Sequence, residues 1–302
     1  MASRIKTIFD NFKKEGEQIL EQISKLKNLT VIPLLFHIQA NIAPWVVSKL
    51  YDRLIKFGDK IKGDVAVILF SKGGDPDTAF LIGKMLHRMT EGHLIYIIPR
   101  LAASSATLLA LSGDYIIMGP PSQLSPIDPQ VEISPNRFVS AKSVKDSCDL
   151  ILREIMGHPE IPKSTVEAFL ERLPLTEIID YRLLLDHMEE LATSLLKLRM
   201  IKEEKRAKEI AERLVKGFKC HERSITIDDA RELGLKVEEL SLNDWNLIWE
   251  FHKRWEEVAI TLVKEGTPII DLSIGYGVAF IPIEEGNGEE LMVQRCLLRY
   301  IL

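Results

Sequence analysis

Two polar turns, each preceded by an apolar run, constrain the fold of this chain more than any other feature. Residues 65–70 form a continuous apolar run that ends in Ser71-Lys72-Gly73-Gly74, and the apolar run 94–98 leads into Ala102-Ala103-Ser104-Ser105. Continuous apolar runs are typical of strands that are buried on both faces of a parallel sheet. The apolar spacing over 77–89 predicts a helix between them. The order of these segments therefore predicts a βαβαβ unit, and with it an α/β fold.

We expect the two turns to meet in space. Crossovers between parallel strands are right-handed, and the loops at the carboxyl ends of such strands gather at one edge of the sheet, where ligands bind. Paired glycines permit positive φ angles and close approach of the backbone. Gly73 and Gly74 can therefore present a main-chain N–H group beside Ser104.

Ser104 stands where an extended segment turns into an apolar helix, and two interpretations of it are open. In the first it is a nucleophile, because the first N–H groups of a helix have no intrahelical partner and can donate to a developing oxyanion. Small neighbours, Ala102, Ala103 and Ala106, leave room for a substrate backbone. In the second, Ser104 only caps the helix, which is the commoner role of serine at such a position.

Several motifs together resemble the serine dehydrogenase proteinase family, a branch of the Clp protease/crotonase superfamily that is related to signal peptide peptidase A. They are the Ser71 to Gly74 turn, Ala102 to Asp114, Leu124 to Gln130, Ala207 to Gly217 and Thr226 to Val237. The similarity runs from about Thr30 to Val237. The chain departs from the family motifs at Lys72, where the family has proline, and at Ser105-Ala106, where it has two glycines.

The resemblance implies a Clp/crotonase-like spiral of βαβ units with a parallel sheet, and long helices for oligomerisation. It implies that Ser104, not Ser105, is the nucleophile, and that the amides of Gly73, Gly74 and Ser105 form the oxyanion hole. We expect an amphipathic N-terminal helix over 1–28, a Clp/crotonase-like serine peptidase domain over 29–239, and a C-terminal helix and strand extension over 240–302.

The identity of the base that activates Ser104 stays open. A serine hydroxyl is a poor nucleophile unless a base takes its proton. The resemblance suggests a lysine about forty residues after Ser104, on the helix that follows the Pro-rich segment around Pro126 and Pro129. Lys142 and Lys145 lie there. A catalytic lysine must be desolvated to lose its proton, whereas most lysines are solvated. Asp128 stands where Clp peptidases carry their histidine, and it either assists a base or bonds its own backbone in the turn. His221 is the histidine candidate, with a structural role as the competing interpretation.

Composition excludes several classes of protein. A net charge of −5 gives no indication of the basic surface with which proteins bind nucleic acid. Three widely spaced cysteines fit neither a zinc site nor a disulfide framework, so a reducing compartment is the default. Residues 1–27 lack the apolar core of a secretory signal, and no apolar run has the length of a membrane span. We expect a cytoplasmic protein without cofactor, metal or integral membrane segment; the resemblance adds a homo-oligomer and a peptide or protein substrate.

The favoured function is a serine hydrolase, specifically a peptidase that forms an acyl-enzyme on Ser104. The alternative is a catalytically weak or inactive assembly or binding module with the same fold, which the departures at Lys72 and Ser105-Ala106 favour. A weaker third interpretation is a crotonase-type acyl-CoA enzyme, which would hold an enolate with two N–H groups and would not need Ser104.

Overall fold

The computed structural model describes residues 2–37, 40–135, 137–171, 175–264 and 279–280. The helices are α1 Ala2–Lys27, α2 Trp45–Leu54, α3 Pro76–Met89, α4 Ser105–Ala110, α5 Ala141–Gly157, α6 Lys163–Leu170, α7 Leu175–Leu198, α8 Glu204–Lys216, α9 Ile227–Leu233 and α10 Leu242–Lys264, with a 3-10 turn over Ile55–Phe57. The strands are β1 Leu29–Phe36, β2 Asp64–Phe70, β3 Leu94–Ile98, β4 Leu101–Ala102, β5 Tyr115–Met118, β6 Gln123–Leu124, β7 Gln130–Ser134, β8 Arg137–Ser140, β9 Val237–Glu238 and β10 Ala279–Phe280.

The main sheet is mostly parallel, and the predicted βαβαβ unit, β2-α3-β3-α4-β5, lies at its centre. The strand order is β10-β1-β2-β3-β5-β9, in which β1, β2, β3, β5 and β9 are parallel and β10 pairs antiparallel with β1. Because β2 and β3 are parallel neighbours, the turns that follow them leave the same edge. At this edge β4 and β6 form a small second sheet, and Ser71 pairs with Ala102 in a parallel bridge.

Alternation along β2 explains why its sequence is apolar throughout. Val65, Val67 and Leu69 face the core under α2, α3, α4, α7 and α8, whereas Ala66, Ile68 and Phe70 face α1 and α10 on the opposite side. Successive side chains of a strand point to opposite faces of the sheet. A strand that is covered on both sides therefore has no polar face, and the fold has three layers: helices, sheet and helices.

The amphipathic N-terminal helix is covered by α10. The Phe12 ring lies 5.8 Å from the Phe251 ring and 5.7 Å from the Trp255 ring, centroid to centroid. Both helices pack on the face of the sheet that carries Ala66 and Ile68. The remainder of the predicted C-terminal extension, 265–278 and 281–302, lies outside the described residues, and the division into three units stays a prediction. None of the described helices is long and apolar enough to span a membrane.

Arg199 joins the end of α7 to the amino-terminal edge of the sheet. Its guanidinium donates to the carbonyls of His87, Thr90 and Gly92 at 3.3, 2.9 and 2.7 Å. It also donates to His87 Nδ1 at 2.9 Å and to the Asp114 carboxylate at 2.8 Å. The side chain is only 12% exposed, so these bonds fix α7 against the loops that precede β3 and β5.

Candidate functional site

Ser104 adopts a backbone conformation that non-glycine residues rarely adopt. It lies between β4 and α4 with φ 52° and ψ −120°, and within the described residues Asn28 is the only other non-glycine residue with positive φ. The Ser104 hydroxyl makes no capping bond to α4 and no hydrogen bond to any described group. The capping interpretation is therefore wrong. Strained backbone of this kind concentrates at functional sites, where the surrounding structure holds it in place.

Hydroxyl groups on neighbouring segments hold the Ser104 turn. The Ser104 N–H donates to Ser125 Oγ at 2.7 Å, and the Ser125 N–H donates to Thr107 Oγ1 at 3.1 Å. Thr107 Oγ1 in turn donates to the Ala102 carbonyl at 2.7 Å. This chain of bonds fixes both ends of the strand-to-helix turn and ties the loop after β6 directly to Ser104.

The glycine turn after β2 lies against the Ser104 turn. Gly73 has φ 107°, and a Cβ atom at this position would lie 2.7 Å from the Ala103 carbonyl oxygen and 2.9 Å from Ser104 Cβ. No side chain can be accommodated at these distances, so only glycine allows the approach. The structure therefore brings together two turns that are separated by about thirty residues in sequence, as the parallel order of β2 and β3 requires.

The backbone of Gly74 is oriented by pairing with Ile42. The Ile42 N–H donates to the Gly73 carbonyl and the Asp75 N–H donates to the Ile42 carbonyl, both at 2.8 Å. In this parallel bridge Ile42 bonds to the residues on either side of Gly74, so the N–H and C=O groups of Gly74 itself point away from Ile42. The Gly74 carbonyl indeed accepts from Ser105 Oγ, at 2.6 Å, on the opposite side. The Gly74 N–H therefore faces the Ser104–Ser105 side of the loop.

The three predicted oxyanion donors differ in their hydrogen bonding. The Gly73 N–H is already engaged, because it donates to Ser71 Oγ at 3.1 Å. The N–H groups of Gly74 and Ser105 have no partner among the described residues. Two free amides that flank a free hydroxyl are an arrangement that can stabilise a developing negative charge on a carbonyl oxygen.

Asp128 and His221 form a pair although 93 residues separate them in sequence. His221 Nδ1 lies 2.9 Å from Asp128 Oδ1, and Asp128 is buried. The hydrogen bond to Asp128 raises the pKa of His221, against the opposing effect of burial. The loop that carries Asp128 is held by Ser125, which binds the Ser104 backbone, and by the Ile127 N–H, which donates to the Leu214 carbonyl.

The two candidate lysines on α5 are engaged with carboxylates of the same helix. Lys145 Nζ lies 2.6 Å from Asp149 and 3.4 Å from Asp146, and Lys142 Nζ lies 3.1 Å from Asp146. The hydrogen bond to Asp149 raises the pKa of Lys145. A lysine that acts as a base near neutral pH needs the opposite, a lowered pKa. The raised pKa of Lys145 therefore counts against it as the base, and Lys142 is engaged in an ion pair.

A family model for ClpP-like SDH-type serine proteinases matches residues 12–253. The chain belongs to this family. The assignment confirms the resemblance that the sequence motifs indicated. The match also includes most of α1 and about half of α10, which lie beyond the segment in which the motifs were found.

The chain is also similar to individual proteins. Two uncharacterised proteins of Methanocaldococcus jannaschii are 27% and 28% identical to it, over 231 and 141 residues. The first alignment covers 73% of this chain and 72% of the relative; the second covers 47% and 41%. Among solved structures, a mutant of the membrane-bound stomatin-specific protease 1510-N has a TM-score of 0.43 and 15% identity, over 75% of this chain and 82% of that one. Another mutant of it, in complex with a substrate peptide, has a TM-score of 0.42 and 16% identity, over 72% and 76%.

Sequence reasoning missed several groups that shape the site of this family member. Ser105, Thr107 and Ser125 lie within the family motifs, but nothing in these motifs indicates which backbone groups their hydroxyls bind. Ile42 carried no signal, because it orients Gly74 through its main chain alone. Within the part of the chain that is described, no three His, Cys, Asp or Glu side chains are arranged to hold a metal ion.

Proposed function

We propose that this chain is a serine peptidase that cleaves peptide bonds through an acyl-enzyme on Ser104. The observation that carries the proposal is the conformation of Ser104: a positive φ, a hydroxyl without a partner in the part of the chain that the structure describes, and contact with the Gly73 turn. A serine presented on a strained strand-to-helix turn has its Oγ exposed to substrate. Membership in a family of ClpP-like serine proteinases supports the same reaction.

The reaction follows from these groups. Ser104 Oγ attacks the carbonyl carbon of the scissile peptide, and its proton passes to a base. The carbonyl oxygen becomes an oxyanion that accepts from the N–H groups of Gly74 and Ser105, and each such donor contributes about 100- to 1,000-fold to the rate in serine proteases. The C–N bond then breaks, the leaving amine takes the proton from the base, and water hydrolyses the ester by the reverse sequence of proton transfers.

We assign the base to His221, held by Asp128. With the proton on Nδ1 donated to the carboxylate, Nε2 is left as the nitrogen that accepts a proton. The buried carboxylate also stabilises the imidazolium that forms when His221 takes the proton of Ser104. We rank Lys145 below His221 because its raised pKa favours the charged form, which has no free electron pair, and we rank Lys142 below it because Lys142 pairs with Asp146 on its own helix. Catalytic hydrogen bonds are often long before substrate binds, so the lack of a Ser104–His221 bond is compatible with this role.

A fluorophosphonate probe tests the nucleophile. We expect the wild-type protein to gain one phosphonyl group, measured by intact mass spectrometry, and to cleave a dye-labelled unfolded protein. Ser104→Ala should lose both activities. Ser48→Ala is the matched control, because Ser48 is an exposed serine on α2 that is remote in sequence from Ser104, from the oxyanion donors and from the proposed base.

Two outcomes contradict the proposal. Labelling that persists in Ser104→Ala would place the nucleophile elsewhere. A folded wild-type protein that takes up no probe at any pH between 6 and 10 would favour the binding or assembly module.

A further inference from the structure

The Ser105 side chain connects the two turns of the site. Ser105 is the first residue of α4, is 1% exposed, and donates from Oγ to the Gly74 carbonyl at 2.6 Å. It stands at a position where the family motif has glycine. A buried hydroxyl that bonds a loop 31 residues away in sequence constrains that loop, whereas a glycine at this position has no hydroxyl to do so.

We propose that the Ser105 hydroxyl is a positioning group that sets the Gly74 amide for oxyanion binding. This inference rests on the proposed function, and it assigns the side chain a role separate from that of the Ser105 main-chain N–H. The departure from the family motif is then part of how the site works in this chain and is not a sign of lost activity.

Gly74 depends on its neighbours to fix its backbone. Gly74 has φ 146°, and a Cβ atom there would lie 2.4 Å from the Ile42 carbonyl oxygen, so no other residue fits. Glycine has more accessible backbone conformations than any other residue and loses the most freedom when it is fixed. The bonds to Ile42 hold the peptide groups on one side of Gly74, and the Ser105 hydroxyl holds its carbonyl on the other side.

The accuracy of this arrangement matters because the two free amides act together. One donor is the Gly74 N–H and the other is the Ser105 N–H, so the Oγ–carbonyl bond links the residues that carry them. A displacement of about 1 Å in an active site can lower the rate about 100-fold. Loss of the bond should leave both amides present, and held by the Ile42 and Ser125 contacts, but less tightly fixed relative to each other.

Ser112 is a matched control for the structural contribution of such a bond. It lies two residues beyond the end of α4 and is 0% exposed; its Oγ donates to the Leu109 carbonyl at 2.8 Å and lies 2.9 Å from the Tyr96 hydroxyl. Ser105→Ala and Ser112→Ala each delete one buried hydroxyl that bonds a main-chain carbonyl. Ser112→Ala also removes the partner of the buried Tyr96 hydroxyl, so it should lower the melting temperature at least as much as Ser105→Ala, yet only Ser105→Ala should affect acylation.

The experiment compares steady-state kinetics on a p-nitrophenyl ester for wild type, Ser105→Ala, Ser105→Cys and Ser112→Ala. We expect Ser105→Ala to lower kcat about 10- to 100-fold with KM within about twofold, since the missing contact orients a group that acts in the transition state. A peptide boronate, which mimics the tetrahedral intermediate, should bind more weakly by the same factor. Ser105→Cys keeps a weak donor of similar size and should lose less. Ser112→Ala should stay within about twofold of wild type.

The inference is overturned if Ser105→Ala retains the wild-type kcat, or if Ser112→Ala loses as much. It is also overturned if the loss in Ser105→Ala lies in KM alone, because that pattern indicates weaker substrate binding. A wild-type protein without esterase activity or probe labelling is a different result: it would overturn the proposed function itself, and this inference with it.

Discussion

His252 gives this fold a built-in sensitivity to acid. It lies on the inner face of α10 with 0% exposure, and neither ring nitrogen has a hydrogen-bond partner among the described residues. The imidazole lies between the rings of Phe70 and Trp249, at 4.9 and 5.4 Å between centroids. Burial, and secondly the positive charge of Arg100, lower its pKa from 6.5 to about 4. The Glu256 carboxylate, 3.9 Å from Nε2, does not offset these effects.

The lowered pKa sets both the sign and the size of the effect. An unfolded chain protonates this histidine below pH 6.5, whereas the folded chain resists protonation until about pH 4. Stability is therefore intact above pH 6.5 and is lost as the pH falls towards 4. A pKa difference of this size lowers the free energy of unfolding by about 3 kcal/mol at pH 4 relative to pH 7.

His252→Phe removes the titrating group and keeps an aromatic ring of similar size. Because it also deletes two unpaired buried nitrogens, we expect a gain of about 1 kcal/mol at pH 7. At pH 4 we expect the difference in free energy of unfolding between His252→Phe and wild type to be larger by a further ~3 kcal/mol. Urea unfolding followed by circular dichroism at pH 7, 5.5 and 4 measures both quantities. Parallel pH dependences in the two proteins would refute the reasoning, whatever the change at pH 7.

Other predictions concern the base and the α7 anchor. His221→Ala should lower kcat about 100- to 10,000-fold, whereas Lys142→Ala and Lys145→Ala should keep most of the activity; loss in a lysine variant alone would contradict the assignment. Wild-type activity should rise with pH as His221 loses its proton, at a pKa above the ordinary 6.5 because of its hydrogen bond to Asp128, and Asp128→Asn should move this limb to lower pH. Arg199→Ala should lower the free energy of unfolding by about 3 kcal/mol, because it removes an ion pair with Asp114 and the donor to several partly buried acceptors. Arg199→Lys should recover only part of this loss in urea unfolding, since an ammonium cannot reproduce the guanidinium fork; full recovery would contradict this account.

The central βαβαβ unit could be predicted from sequence because its signals are local. The apolar run of β2, the helical spacing of α3 and the turns that follow each strand lie within about fifty residues. The meeting of Gly73 with the Ser104 turn then follows from the parallel order of the strands. The amphipathic pattern predicted the N-terminal helix, but an apolar stripe on one helix does not specify which element packs against it. The sequence therefore did not identify α10 as the element that packs against it.

The hydrogen bonds of the site could not be predicted in this way. The Ser105–Gly74 and Asp128–His221 bonds connect segments 31 and 93 residues apart, and each depends on how a loop is placed to within a few tenths of an ångström. The capping interpretation of Ser104 failed for a related reason. Residue type indicates a capping serine, but the backbone angles decide whether the hydroxyl faces the helix, and here φ is 52°.

A crystal structure of the fluorophosphonate-treated protein tests the proposed catalytic site most directly. We predict a covalent bond between phosphorus and Ser104 Oγ, with the phosphoryl oxygen roughly 3 Å from the amide nitrogens of both Gly74 and Ser105. An adduct on another residue, or a phosphoryl oxygen directed away from these two amides, would contradict the account.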